Sequence, residues 1–327
     1  AAIEEQLKTA PVNDDFWLEY NLAYHHYTLY YYDRGGNVIK TVPPQGVQTL
    51  DVNLASVLAR NVSPAHTLIT DYRANSLQQA VRNNTPDGGE THHFYNSIGQ
   101  KRFSQNAEQK GKGVISYTKY DPLGRVIEVG QSDTTNFRNN LNNKNFPATG
   151  TQRTFTVFTK PAAITYSDGS PQRFSQNRIS YTYTDDTVYT FFSYDPHGNV
   201  EWLVQDIPGL LFKNYIRYEY DLVSGKMLRV FYNEGRIDQF FHRYTYDGDN
   251  RILLAETSLD GKMWDRDAQY QYYAHGPLSR VNIGEDKIQG VDYVYTVHGW
   301  LKSINHPTRS AALDPGKDNA GNRFAPD

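Results

Sequence analysis

Cysteine is absent from the chain, which excludes disulfide staples, thiolate nucleophiles and Cys-ligated zinc. Long apolar runs are missing too. No stretch reaches the roughly 18 residues a membrane-spanning helix requires, and mean hydropathy is -0.69. Neither sign of charge dominates: 33 Lys+Arg against 36 Asp+Glu leave a formal charge of -3. A global cationic field for nucleic acid or an anionic bilayer is therefore lacking. Ala and Leu are too sparse for long helices. The opening Ala1-Ala2-Ile3-Glu4-Glu5-Gln6-Leu7 has no basic and apolar signal regions and no initiator Met. The expectation is an excised or processed piece of a longer protein. What the 327 residues do hold is 26 Tyr, 24 Gly and 14% aromatics, a β-rich composition.

One pattern recurs: Tyr, a turn former, two variable residues, Gly, a polar residue and an aliphatic one. Its clearest copies are Tyr120-Asp121-Pro122-Leu123-Gly124-Arg125-Val126 and Tyr194-Asp195-Pro196-His197-Gly198-Asn199-Val200. Looser copies begin at Tyr32 (Asp33, Gly36), Tyr95 (Gly99), Tyr246 (Asp247, Asn250), Tyr272 (Gly276) and Tyr295 (Gly299). Tyr220-Asp221 carries one extra residue before Gly225, and Ala74-Asn75-Ser76-Leu77-Gln78 is a decayed copy. Tyr194, Tyr220, Tyr246 and Tyr272 are spaced at equal intervals of 26 residues. Asp or Asn after the Tyr can accept from the backbone N–H two residues on, Pro presets φ, and Gly supplies the left-handed conformation that closes a hairpin. Each Asp33, Asp121, Asp195, Asp221 and Asp247 is thus expected to build a turn. Flanking segments alternate as strands do, with Phe240, His242, Tyr244 and Tyr246 on one face. Aromatics two residues before the turn Tyr, as at Tyr218 and Tyr244, are expected to form cross-strand ladders. A second turn set, at Asn233-Glu234-Gly235-Arg236 and Leu259-Asp260-Gly261-Lys262, makes each 26-residue repeat two strands and two turns. The expected fold is all-β: long antiparallel hairpin repeats forming a curved or spiral sheet. A β-propeller fits less well, since its blades need about 40–45 residues.

The Tyr-Asp-x-x-Gly-(Arg/Asn)-aliphatic unit at Tyr120, Tyr194 and Tyr32 resembles the YD repeat of RHS-repeat proteins, a group that includes insecticidal-toxin shell components and teneurins. The stretches Tyr32 to Val47 and Asp87 to Val129 resemble large RHS proteins of Bacteroidetes-type bacteria. The resemblance covers about residues 28–305. It implies a β-sheet wound into a shell, often a cage around a C-terminal toxin domain, in a secreted or cell-surface protein. The family's C-terminal core motif with its self-cleaving aspartyl site has no match, Asp314-Pro315-Gly316-Lys317 being too short to carry it. On this reading residues 1–27 are a lead-in segment and residues 28–305 the repeat sheet. An Asn-rich insertion lies near 133–152, and residues 306–327 form an exit tail or linker. Tyr166-Ser167-Asp168-Gly169-Ser170 reads as a decayed unit.

Chemistry is thinly represented. Gly-x-Ser-x-Gly, His-Glu-x-x-His, Walker and Gly-x-Gly-x-x-Gly motifs are all missing, so no catalytic residue, metal or cofactor is expected. His197, His275 and His298 occupy equivalent turn positions without a carboxylate to complete a metal sphere. Asp247-Gly248-Asp249-Asn250 opens like a calcium loop, but Ser258 stands near the position where a bidentate Glu is needed. The neighbours His25-His26 and His92-His93 point to opposite faces of a strand and cannot chelate one ion. Trp264, with Asp265 and Asp267 on one strand face, is the candidate glycan-binding cluster, because aromatic faces stack on sugars. The expected role is a non-catalytic shell segment that encloses or displays an effector. Its expected partners are the rest of a longer parent chain and a C-terminal toxin. The alternative is an extracellular adhesion or carbohydrate-binding module that meets cell-surface glycans.

Overall fold

The computed structural model describes residues 27–50 and 55–305. The expected lead-in segment lies outside them except for its last residue, and the exit tail lies outside them entirely. The chain divides into two compact units, residues 1–116 with 133–143 and residues 117–132 with 144–327.

In the first unit, β1 (Leu29–Tyr32), β2 (Val38–Val42), β3 (Thr70–Ala74), β4 (Ala80–Thr85), β5 (Gly89–Tyr95) and β6 (Lys101–Gln105) each pair antiparallel with the next. A helix at Ala107–Lys112 follows. Asn106 and Gln109 cap it reciprocally, and Gly113 ends it at φ 68°. Residues 133–143 fold onto this unit through a 3-10 turn at Phe137–Asn140. The buried Phe137 ring meets Phe94 at 4.8 Å and Phe103 at 5.5 Å. The Asn-rich stretch is therefore packed where it contributes an aromatic, and Asn142 ties it back to the Tyr95–Gly99 turn by accepting from the Ser97 N–H at 2.8 Å.

The second unit begins within β7 (Val114–Tyr120) and continues through β8 (Val126–Asp133), β9 (Thr151–Phe158), β10 (Ile179–Thr184), β11 (Tyr189–Tyr194), β12 (Val200–Asp206), β13 (Asn214–Tyr220), β14 (Met227–Tyr232), β15 (Phe240–Tyr246), β16 (Ile252–Ser258), β17 (Asp265–Tyr272), β18 (Leu278–Ile283), β19 (Gln289–Tyr295) and β20 (Leu301–Ile304). From β8 onward each strand pairs antiparallel with its successor. The fold is all-β and antiparallel.

Between β9 and β10 the chain leaves the regular ladder. The Tyr166–Ser170 turn closes a hairpin reduced to a single bridge between Thr165 and Pro171. Its Tyr166 ring lies 5.8 Å from Trp202 and 5.4 Å from Tyr215, and with Val204 these side chains form a buried cluster. Only ten hydrophobic side chains among the described residues are buried, so cohesion rests mostly on cross-strand contact rather than on a thick core. Phe155, Tyr183 and Tyr189 show this best, stacking across three strands at 4.6 and 5.3 Å. For the turn-proximal aromatics, expected to stack across strands, the contact at Tyr218 runs along its own strand instead, its ring lying 6.5 Å from that of Tyr220.

Candidate functional site

The repeated turn is the feature this chain builds most often, and its geometry follows from five residues. Counting the Asp or Asn as the first, its backbone N–H donates to the carbonyl of the fifth, and the N–H of the fourth donates back to the carbonyl of the first. In the Asp121 turn the two distances are 2.9 and 3.0 Å, in the Asn96 turn 2.9 and 3.0 Å, and in the Asp247 turn 2.9 and 3.0 Å. The fourth residue must be left-handed: Gly124 has φ 81°, Gly198 98° and Gly276 116°, and Asn250 adopts 62° in the same place. Gly36, Gly99, Gly225 and Gly299 are left-handed at 81°, 81°, 69° and 79°. The Tyr before each turn opposes the aliphatic residue after it across a register shift, as in Tyr194 with Val200 and Tyr246 with Ile252. A type I turn closed by such a bulge suits the right-handed twist of a hairpin.

The first side chain then fixes the loop. One oxygen of Asp121 accepts from the backbone N–H groups of Leu123 and Arg125, both at 2.9 Å, and its second oxygen takes the Arg125 Nε at 2.7 Å. Asp247 does the same with Asp249 and Arg251. Asp33 and Asp195 take an amide from Asn37 and Asn199 at 3.0 and 2.9 Å instead. Where the first residue is Asn, the fifth is Gln: Asn75 Nδ2 donates to Gln79 at 2.9 Å and Asn96 Nδ2 to Gln100 at 2.9 Å. An acid is thus matched by a donor and an amide by an acceptor. The Asp195 carboxyl lies below the usual carboxylate range: burial opposes its ionisation, and bonds from Asn199, Gly198 and His197 outweigh that cost. In the wider Asp221 turn the Ser224 N–H donates to the carboxylate at 2.6 Å.

The turn tyrosines hold neighbouring repeats together. Tyr194 donates to the Ile179 carbonyl at 2.9 Å, Tyr220 to Val200 at 3.0 Å, Tyr246 to Met227 at 2.8 Å and Tyr272 to Ile252 at 2.8 Å. Tyr95 reaches Ala80 at 2.8 Å in the first unit. Each acceptor is at the start of the strand before, past the last paired residue. The β12–β13 ladder stops at Trp202 with Arg217, and Val200 lies beyond it. The hydroxyl therefore takes over where the ladder ends. Burial raises the pKa of Tyr95, Tyr194, Tyr220, Tyr246 and Tyr272. A second link runs the other way: Arg251 Nη1 donates to the Gly276 carbonyl at 3.2 Å, and Gln79 Nε2 to that of Gly99 at 2.7 Å. The repeated Tyr could have been read as a link, because it recurs at every clear copy. The carbonyl partners carry no side-chain signature.

The remaining candidates are scattered. One face of the Trp264 ring is covered by the Arg243 guanidinium at 4.3 Å, and its N–H donates to the Gly261 carbonyl at 3.2 Å. Asp265 and Asp267 are exposed on β17, and Asp267 accepts from the Thr257 hydroxyl at 3.0 Å. Tyr32 is more than half exposed beside Asp33, and the Tyr295 ring meets Tyr273 edge-on at 6.3 Å. Tyr120 enters the Asp121 turn at the end of β7. His197 is 3.9 Å from Asp195 within its own turn, whereas His275 stacks on Tyr273. Among the described residues no three His, Asp or Glu side chains gather as a metal site, and no helix is long and apolar enough to cross a membrane. His92 faces Glu90 and His93 faces Asn83, while His25 and His26 lie outside the described residues.

No protein-family model and no curated protein matches this sequence. Solved structures do. A crystal structure of TcdB2–TccC3 with Cdc42 superimposes with a TM-score of 0.51 at 15% identity, over 85% of this chain and 12% of that one. TcdB2–TccC3 alone gives 0.50 at 14% identity, over 86% and 13%. A Tc holotoxin pore of Photorhabdus luminescens with a mutation in TccC3 gives 0.50 at 15%, over 86% and 12%. The β-architecture is RHS-like. The chain spans about an eighth of the length of the toxin chains it matches.

Proposed function

We propose that this chain is a non-catalytic structural segment of an RHS-type protein, part of a β-shell that encloses or displays a C-terminal effector. The observation that carries the reading is the tether. The same Tyr hydroxyl, repeat after repeat, bonds the preceding hairpin and spends the signature residue on cohesion rather than on chemistry. Structures of this kind are quasi-one-dimensional and grow by adding units. The outermost described strands fit that growth: β1 and β20 each pair with one neighbour and leave Tyr30, Tyr32, Leu301 and Ile304 more than half exposed. A continuing sheet would cover such edges. The kinship to large RHS proteins of Bacteroidetes-type bacteria and to teneurins, the secreted or cell-surface location and the division into lead-in, repeat sheet and exit tail belong to the same proposal.

The test is limited proteolysis of the protein made from its complete reading frame. A segment C-terminal to Asp327 that survives protease levels which digest it when expressed alone supports enclosure. Digestion at equal rates, or a reading frame that ends at Asp327, refutes it and moves the adhesion and carbohydrate-binding reading ahead.

A further inference from the structure

A row of basic side chains crosses the first unit. Arg73 on β3 stands directly opposite Arg82 on β4, and Arg82 directly opposite His92 on β5. Side chains in such positions start about 4.5–5.5 Å apart, and like charges there repel. Glu90 answers part of this charge, bonding Arg82 and lying 3.2 Å from His92. It leaves Arg73 unanswered: that side chain is exposed and makes no hydrogen bond or ion pair among the described residues. Two residues beyond His92 on the same face, Phe94 carries a further guanidinium, Arg138, 4.8 Å above its ring. Arg138 is aimed there by a pinned segment. Phe137 beside it is buried against Phe94 and Phe103, and the buried Arg102 donates to the carbonyls of Leu141 and Asn143 at 3.2 and 3.0 Å. Arg138 itself has ring contacts and no carboxylate partner.

These side chains line one cleft of about 480 Å³, together with the apolar Leu141. Asp71, two residues before Arg73, faces the same side but stands opposite Lys40, one row further along. Three arginines therefore outnumber the carboxylates that reach them, and two of the three keep their full set of N–H donors. A planar guanidinium presents those donors as a fork that matches an oxyanion. Two unpaired forks call for two negative charges, and the apolar Leu141 in the lining offers a contact for whatever carries them. We propose that this cleft binds a phosphomonoester: the dianionic phosphate bridges Arg73 and Arg138, Arg82 flanks it, and the organic body rests against Leu141. A sulfate ester presents the same three oxygens with one charge, and a carboxylate presents two oxygens with one charge.

Titration calorimetry of the full chain at low salt tests this, with phenyl phosphate as the probe and phenyl sulfate as the single-charge comparison. The expected result is saturable single-site binding of phenyl phosphate, tighter than that of phenyl sulfate. Arg73→Gln and Arg138→Gln should each weaken it by about tenfold or more, the usual loss of a hydrogen bond to a charged group. Both residues are exposed, and circular dichroism of each variant checks that it folds as the parent does. Arg229→Gln, a surface change in the second unit, should leave binding as it was. An unsaturable heat, equal affinity for the two esters, affinity retained in the Arg73→Gln, Arg138→Gln double variant, or an equal loss in Arg229→Gln would each overturn the proposal.

Discussion

Removing one hydroxyl at a time measures the Tyr tether directly. Tyr194→Phe, Tyr220→Phe, Tyr246→Phe and Tyr272→Phe keep each ring in place and delete a bond of 2.8–3.0 Å to a carbonyl beyond the end of the ladder between the two strands. One such bond contributes about 0.5–1.5 kcal/mol net. The four acceptors, Ile179, Val200, Met227 and Ile252, are four separate carbonyls, so the losses should add to first order, with coupling where an acceptor residue stands opposite the preceding tether Tyr, as Val200 does Tyr194. The quadruple variant should therefore lose about 2–6 kcal/mol, a large share of the stability of an ordinary domain. Tyr218→Phe is the matched control, since Tyr218 makes no hydrogen bond through its hydroxyl among the described residues and sits two positions from a tether. Its cost should stay within about 0.5 kcal/mol. Equilibrium unfolding in urea, followed by far-UV circular dichroism, reads all seven proteins, the parent included. A quadruple variant within about 0.5 kcal/mol of the parent, or a control that falls as far as the single tether variants, would show that the hydroxyls do not link the repeats.

The pH limits of stability follow from the same residues. The tether tyrosines have folded pKa values raised above the usual value of about 10, so their contribution is complete below that pH and is lost as pH rises through the folded values. Absorbance of tyrosinate against pH should show a late phase that coincides with loss of circular dichroism, and a single phase near the ordinary value would contradict it. At the acid end Asp195 is depressed, so its contribution is complete above the ordinary Asp pKa of about 3.9 and fades as pH falls through the folded value. Asp195→Asn should flatten the acid limb of stability, and an unchanged limb would clear the turn acid of that role. Gly198→Val should cost about 1–3 kcal/mol, because φ is 98° and the new Cβ would lie 2.6 Å from Arg178 Nη2; thermal denaturation at the parent's midpoint would refute the strain. Asn250→Gly at φ 62° should be neutral or mildly stabilising by the same assay, and a clear loss would show that the Asn side chain acts beyond its backbone conformation.

The hairpin was legible because its signals are local. Asp121, Pro122 and Gly124 each answer to a backbone requirement within five residues, and their equal spacing from repeat to repeat needs no knowledge of the fold. The Asp-with-Arg and Asn-with-Gln matching of the first and fifth positions is equally local, visible in Asp121 with Arg125 and Asn96 with Gln100. What stayed hidden depends on contacts between distant segments. The acceptor of the Tyr246 hydroxyl is a main-chain carbonyl 19 residues away, and nothing in the identity of Met227 announces it. The decayed unit at Tyr166 was visible as a turn, but not its packing on Trp202 and Tyr215, because the strands that should carry it have shrunk to one bridge. Trp264 looked available as a stacking face because the sequence does not show Arg243, 21 positions earlier, folding over its ring.

Two kinds of link now run in opposite directions between repeats, and this bears on how such a sheet can grow and stop. The Tyr hydroxyl reaches back to the preceding hairpin, as Tyr272 does to Ile252, while the fifth-position side chain reaches forward, as Arg251 does to Gly276. The Tyr246 unit is thus held twice at its turn end, by its own hydroxyl on Met227 and by Arg251 on Gly276, where the strand ladder has already run out. A unit at the border of the array loses one of the two, so the array is weakest at its borders and gains most when another unit or a different fold covers them. Enclosure needs a wall whose joints resist local opening more than its rim does. A binding module needs the reverse, mobile turns that can adapt to a ligand. Fastening of successive turns through the signature Tyr hydroxyl favours the wall.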